Sequence, residues 1–169
     1  PTVVLTRRPD LRQAEVASLY DDIRIWLNAE DANPAEDLLD ILCELGLQVG
    51  RVGVEFASYG LTAAHGRTVE AALDGICVLE DASDIVRRQR LVKTEAELAK
   101  TREAGQLADA AVLAAIDATA PGATESELSA AALTAMLNGG GEVPSGGPLV
   151  NTGPRALFGR GIGGPRRID

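Results

Sequence analysis

Hydrophobic and polar positions alternate along Asp21-Asp22-Ile23-Arg24-Ile25-Trp26-Leu27, the period of a strand with one covered face. Val3 to Leu5, Arg51-Val52-Gly53-Val54-Glu55 and Ile76-Cys77-Val78-Leu79 read as further short strands. Between them the period changes. Leu38, Leu39, Ile41, Leu42 and Leu45 fall on one helical face. Asn33 can cap that helix, Pro34 suits its first position and Glu36 can reach back to the cap. Gly46 can end it in the left-handed conformation. A short helix is expected over Thr68 to Leu73, closed by Gly75, and another capped by Ser83 and carrying Ile85 and Val86. Strands alternating with helices predict an α/β domain around a largely buried sheet.

The pattern shifts near Leu91. Thr94 and Glu97 form a capping box, and an Ala-rich helix follows to about Thr119, where Pro121-Gly122 breaks it. Thr124 and Glu127 form a second box, opening a helix with Leu128, Ala132, Ala135 and Met136 on one side and Gly139-Gly140-Gly141 at its end. The tail holds two strand-like pieces, Pro148-Leu149-Val150 and Arg155-Ala156-Leu157-Phe158, among glycines. A domain boundary is expected at about Val92, giving one domain over residues 1–92 and the beginning of another over 93–169. Pro1 precedes a strand already under way, and Arg166-Arg167-Ile168-Asp169 stops in mid-phrase, so truncation at both ends is expected.

Composition narrows the chemistry. A formal net charge of -9 over 169 residues disfavours a nucleic-acid partner and suits an uncharged or cationic ligand. No apolar run reaches the roughly 20 residues that span a bilayer, so a cytoplasmic protein without membrane contact is expected. Aromatics are 3% of the chain, which leaves packing to Ala, Leu, Val and Ile. Cys43 and Cys77 lie in apolar runs and are expected to be buried, reduced thiols; no C-x-x-C occurs. His65, the single histidine, has no second His or Cys at ligand spacing and reads as a surface or helix-end residue. Gly159, Gly161 and Gly164 match a G-x-G-x-x-G spacing, but Pro165-Arg166-Arg167 follows where a dinucleotide site needs a helix, so a turn is expected. Glu55 reads as fixing a turn or pairing an Arg, and Arg87, Arg88 and Arg90 as solvated charges or ion pairs. Trp26 suits either a subunit contact or a partly buried core position.

The order of motifs from Asp84 onward carries a resemblance. Arg90-Leu91-Val92-Lys93-Thr94-Glu95-Ala96-Glu97, then Arg102-Glu103-Ala104-Gly105, then Pro121-Gly122-Ala123-Thr124-Glu125 resembles the join between domains of creatinases, prolidases and Xaa-Pro aminopeptidases. Val52-Gly53-Val54-Glu55 upstream, and Gly140-Gly141-Glu142 with Leu149-Val150-Asn151-Thr152-Gly153 downstream, are similar to that family's strands on either side. The resemblance implies a mixed-sheet N-terminal domain, then the first helices and strands of a pita-bread catalytic domain. It implies a C–N-cleaving hydrolase for peptides or small amides, acting through a hydroxide activated by two divalent ions (Mn, Co or Zn), and a homodimer. The metal ligands of that family, two Asp, one His and two Glu, belong beyond Asn151-Thr152-Gly153. The chain is therefore expected to bind no metal and to be inactive by itself, with Asp169 a loop residue ahead of the first ligand strand. Many relatives place a His soon after that turn; here Leu157-Phe158-Gly159-Arg160 stands instead. Arg160 reads either as a group that binds an anion on substrate or product, or as a surface residue. The substitution leaves room for creatinase-like or ectoine-hydrolase-like chemistry, and for a non-catalytic binding or scaffold relative.

Overall fold

The structure, a computed structural model, describes residues 2–157, 159–161 and 163–169. Its contacts fall into two units, Pro1–Leu91 and Val92–Asp169.

The first unit is built from two strand–helix–strand crossovers. β1 (Val3–Arg7) runs through a 3-10 turn and α1 (Leu11–Ala17) into β2 (Asp22–Trp26), which pairs with β1 in parallel, Val3 opposite Asp22 and Arg7 opposite Trp26. β3 (Arg51–Val54) continues through α3 (Ala63–Leu73) to β4 (Val78–Asp81), again parallel. A parallel pair needs a crossover, and α1 and α3 supply it. The α/β alternation read from the sequence is therefore present, and among the described residues the strands pair as two parallel ribbons, β1 with β2 and β3 with β4.

Between the ribbons lies α2 (Pro34–Glu44), which packs against α3. Asn33 caps it: the Asn33 side-chain oxygen accepts from the Ala35 N–H at 3.3 Å, and its amide nitrogen donates to Glu36 at 2.9 Å. Gly46, at φ +69, closes the other end. The Leu47 N–H reaches the Leu42 carbonyl and the Gly46 N–H the Cys43 carbonyl, the two bonds of a Schellman motif. Ala35, Ile41 and Leu42 of α2, with Leu73 of α3, are the buried apolar residues of this unit. Arg24 ties β2 to α2, forking onto both Glu44 oxygens at 2.8 and 2.9 Å while also pairing with Asp22. The hydrogen bonds from Arg24 hold the Asp22 and Glu44 carboxyls below their ordinary range.

Local outcomes differ from the pattern at four places. The helix α1 was not evident between the first two strands. Helix α3 starts at Ala63, ahead of Thr68, because Thr62 caps it by accepting from the His65 N–H at 3.2 Å. In α4 (Ser83–Gln89) the cap position belongs to Ala82; Ser83 instead accepts from the Ala57 N–H at 2.9 Å and hydrogen-bonds Asp81. Cys43 is exposed, since α2 turns it away from the face that buries Ile41 and Leu42, and Cys77 is half-buried just ahead of β4; both thiols are free.

The second unit is a pair of helices with a folded-back tail. α5 (Glu95–Asp117) and α6 (Glu125–Asn138) both begin with a complete capping box, Thr94 with Glu97 and Thr124 with Glu127. The helices pack together and bury Ala111, Leu128 and Ala132. Gly140, at φ +86, ends α6 in a second Schellman motif, Gly141 N–H to the Met136 carbonyl and Gly140 N–H to that of Leu137. A cavity of about 420 Å³ opens beside them, walled by Ala111, Ile116, Leu128, Ala132, Met136 and Leu149. On α5, Val112, Leu113 and Ile116 are 59%, 60% and 60% exposed. Residues 148–150, expected as a strand, have no ladder partner, and Gly153–Leu157 forms a 3-10 turn. A strand exists only where a neighbour takes its backbone bonds, and the tail spends several of its own on α6; Phe158, the end of the second expected strand, lies outside the described residues.

Candidate functional site

The most tightly built polar cluster is centred on Glu125, the first residue of α6. A helix start leaves its first N–H groups without helical partners. Here the tail supplies partners for two of them and the capping Thr124 for a third. The Glu125 N–H donates to the Arg166 carbonyl at 3.0 Å, the Ser126 N–H to that of Gly164 at 3.1 Å, and the Glu127 N–H to the Thr124 hydroxyl at 3.2 Å. Gly122 and Ala123 exchange bonds of 2.8 Å with Ile168, so the tail lies along the helix entrance.

Glu125 itself is fully buried. Its Oε1 accepts from the Thr152 N–H at 2.8 Å and the Thr152 hydroxyl at 2.9 Å. Its Oε2 accepts from the Gly164 N–H at 3.3 Å and pairs with Arg155 Nη1 at 3.3 Å. Arg166 Nε donates to the Thr152 hydroxyl at 3.1 Å, extending the network by one member. Burial alone would push the Glu125 carboxyl up, but the Thr152 amide and hydroxyl, the Arg155 charge and the Gly164 amide together hold it below the ordinary glutamate range. Position adds to this, since a negative charge at a helix N-terminus meets the positive end of the helix dipole. A sequestered carboxylate with both oxygens committed is no general base; its chemistry is to hold the chain.

The residues singled out in the sequence fall elsewhere. Arg160 is exposed between Gly159 and Gly161 and is not one of the groups that meet Glu125. His65 is an exposed first-turn residue of α3, and Trp26 is half-buried at the end of β2; both line a second cavity of about 480 Å³ with Leu5, Asn28, Ala35 and Val69. Glu55 sits exposed just past β3. Arg87 and Arg88 pair with Asp84 at 2.8 and 3.6 Å. No helix follows Gly164, which turns its amide to Glu125 and its carbonyl to Ser126. Among the described residues no three His, Cys, Asp or Glu side chains converge to hold a metal ion. The Asp169 side chain is 96% exposed and lies 3.5 Å from Arg166. No catalytic step is assigned to the described residues. Among the described residues, no helix is long and apolar enough to cross a membrane.

The role of Glu125 went unseen in the sequence, although Pro121-Gly122-Ala123-Thr124-Glu125 was legible as a motif. A capping box accounts for Thr124 and Glu127; the acidic residue between them was the unused signal.

Comparison with known proteins agrees with this architecture. Residues 99–169 match the model of metallopeptidase family M24. A protein of Sinorhizobium fredii, described as an uncharacterized hydrolase/peptidase, is 30% identical over 171 residues, covering 99% of this chain and 42% of that protein. The Xaa-Pro dipeptidase of Pyrococcus horikoshii is 31% identical over 86 residues, 51% of this chain and 24% of that protein. In three dimensions the Xaa-Pro dipeptidase from Bacillus anthracis superposes with a TM-score of 0.72 at 24% identity, covering 98% of this chain and 44% of that one. The chain thus spans less than half the length of the relatives it matches. The ordered motifs, the helix pair and these matches agree: the chain is similar to the creatinase/prolidase metallopeptidases, with the model of family M24 itself matched over residues 99–169.

Proposed function

We propose that the whole protein is a metal-dependent hydrolase of the Xaa-Pro peptidase kind, and that these residues supply its N-terminal domain and the frame on which its catalytic strands are hung. The observation that carries this reading is the match of α5, α6 and the tail to family M24, on a chain whose fold follows an Xaa-Pro dipeptidase over nearly its whole length. The exposed apolar side of α5 and the open cavity beside Leu128 are what a helix pair backing a sheet presents. The two divalent ions belong to residues outside this chain. They would supply Lewis acidity toward the scissile carbonyl. Homodimerisation and a cytoplasmic site of action are part of the same reading.

Arg160 is assigned to the substrate. An Xaa-Pro dipeptide ends in a carboxylate, and a guanidinium is the side chain best shaped to grip one through two parallel hydrogen bonds. Its exposure leaves it accessible for that contact. One specific feature favours a second reading: with Leu157-Phe158-Gly159-Arg160 replacing the usual His stretch, the substrate is a creatine-like or ectoine-like small amide. The deciding experiment is a hydrolysis panel on the full-length gene product with added Mn²⁺. Release of proline from Xaa-Pro dipeptides is expected. Turnover of cyclic or guanidino amides alone would favour the second reading, and no turnover of either class would leave a non-catalytic scaffold.

A further inference from the structure

We propose that Glu125 is a positioning residue that clamps the two ends of the Thr152–Gly164 loop and thereby sets the place of Arg160; the role assigned to Arg160 rests on the function proposed above. One oxygen of a single buried carboxylate holds Thr152 through both amide and hydroxyl, and the other holds the Gly164 amide, 12 residues further along. Closing a segment of that length at its base is the geometry of an Ω-loop. Arg155, inside the loop, is pinned to the same carboxylate at 3.3 Å, so a third point is fixed. The helix entrance meets the loop's end a second time, through the Ser126 N–H on the Gly164 carbonyl. Arg160 belongs to this closed segment, eight residues after Thr152 and four before Gly164, and its neighbour Gly161 lies against Asn151, next to the clamped Thr152. A cation on a free loop must lose conformational freedom when it binds, and clamping the base removes part of that cost beforehand.

The chemistry of the clamp is specific to a carboxylate. It meets only donors: two amides, a hydroxyl and a guanidinium. Glutamine at the same place would turn an NH₂ toward donors at one of the two ends. Glu125→Gln is therefore the informative variant. Thr152→Val, which removes the hydroxyl donor and leaves the carboxylate paired with Arg155, is the milder companion should Glu125→Gln fail to fold.

The test is hydrogen exchange by mass spectrometry on the full-length gene product, with steady-state kinetics on Xaa-Pro dipeptides alongside. In Glu125→Gln, exchange over residues 153–164 should rise roughly tenfold while the central turns of α5 and α6 stay within about twofold of wild type. KM should rise by about tenfold with kcat within about threefold, the signature of lost substrate positioning. Thr152→Val should move both readouts in the same direction by less. Unchanged exchange over residues 153–164, or an increase spread evenly through α5 and α6, would overturn the clamp. A loosened loop with unchanged KM in an active enzyme would overturn its link to substrate. Should the wild-type protein cleave no Xaa-Pro dipeptide, the function proposed above fails by itself, and the exchange comparison still decides whether Glu125 is the clamp.

Discussion

Leu128 offers a sharp check on how the second unit is held together. It is 4% exposed, on the face of α6 that meets Ala111 of α5, and it walls the cavity of about 420 Å³. Leu128→Ala removes three carbons, a transfer loss of about 2.4 kcal/mol at roughly 0.8 kcal/mol per methylene. A cavity contribution follows in proportion to the volume that neighbours fail to reclaim, at about 24 cal/mol per Å³. On the helices, Ala108, Ala111, Ala115 and Ala132 line the site with short side chains that cannot swing in to refill it, and it adjoins space already open. The combined loss should be about 3 kcal/mol. Ile116→Ala is the matched control. Ile116 lines the same cavity but is 60% exposed, and its truncation should cost less than about 1 kcal/mol. Urea unfolding followed by far-UV circular dichroism, to which α5 and α6 contribute about half of the helix, reads both; at a typical slope of 1–3 kcal/mol/M the Leu128 variant should lose roughly 1–3 M in midpoint. Equal shifts for the two variants would mean that the α5–α6 interface is not where this unit derives its stability.

Other consequences can be measured alongside. Thr124→Ala removes the hydroxyl that caps the Glu127 N–H and should cost about 1 kcal/mol, with Thr124→Ser retaining most of it, by the same urea titration. Gly140→Ala forces a side chain to φ +86 and should cost about 1–2 kcal/mol, whereas Gly146→Ala, at ordinary φ with open space around it, should be near neutral. Asp22 and Glu44 have carboxyl pKa values lowered in the folded state, so the stability that each contributes is fully present above its ordinary value of 3.8 or 4.5 and is lost as pH falls through the lowered folded value. An acid titration of the first unit, followed by Trp26 fluorescence, should show this loss in wild type. Arg24→Met should flatten it; an unaltered acid limb in that variant would rule out the Arg24 pairs as its source. Arg160→Ala should raise KM for Xaa-Pro dipeptides by about tenfold or more while sparing stability, since Arg160 is exposed; an unchanged KM would remove Arg160 from the substrate site.

Much of the fold was legible because it is set by neighbours in sequence. The capping boxes at Thr94 and Thr124, the Asn33-Pro34 start of α2 and the left-handed Gly46 are local devices, and each stands where the residues placed it. Helix α1 was missed because Leu11–Ala17 is short and without a buried residue, so its apolar pattern is weak. Which strand pairs with which was not legible for a different reason: pairing partners are a tertiary matter, and the parallel coupling of β1 to β2 and of β3 to β4 leaves no mark in either strand's own pattern. The strands expected in the tail failed likewise, because strand-like residues at 148–150 had no ladder to join. The Glu125 cluster was the least legible part. It joins residues as far apart as Glu125 and Gly164, and a lone Glu beside a capping box reads as surface charge until the tail folds over it.

The proposed function puts the metal ions of the whole protein on residues outside this chain. Calorimetric titration of Mn²⁺ into metal-stripped full-length protein tests it most directly. The account predicts two ions bound per chain, with binding retained in Asp169→Asn because the exposed Asp169 side chain is not a ligand. Absence of any stoichiometric binding would contradict a metal-dependent activity, and loss of binding in Asp169→Asn would contradict the placing of the site beyond these residues.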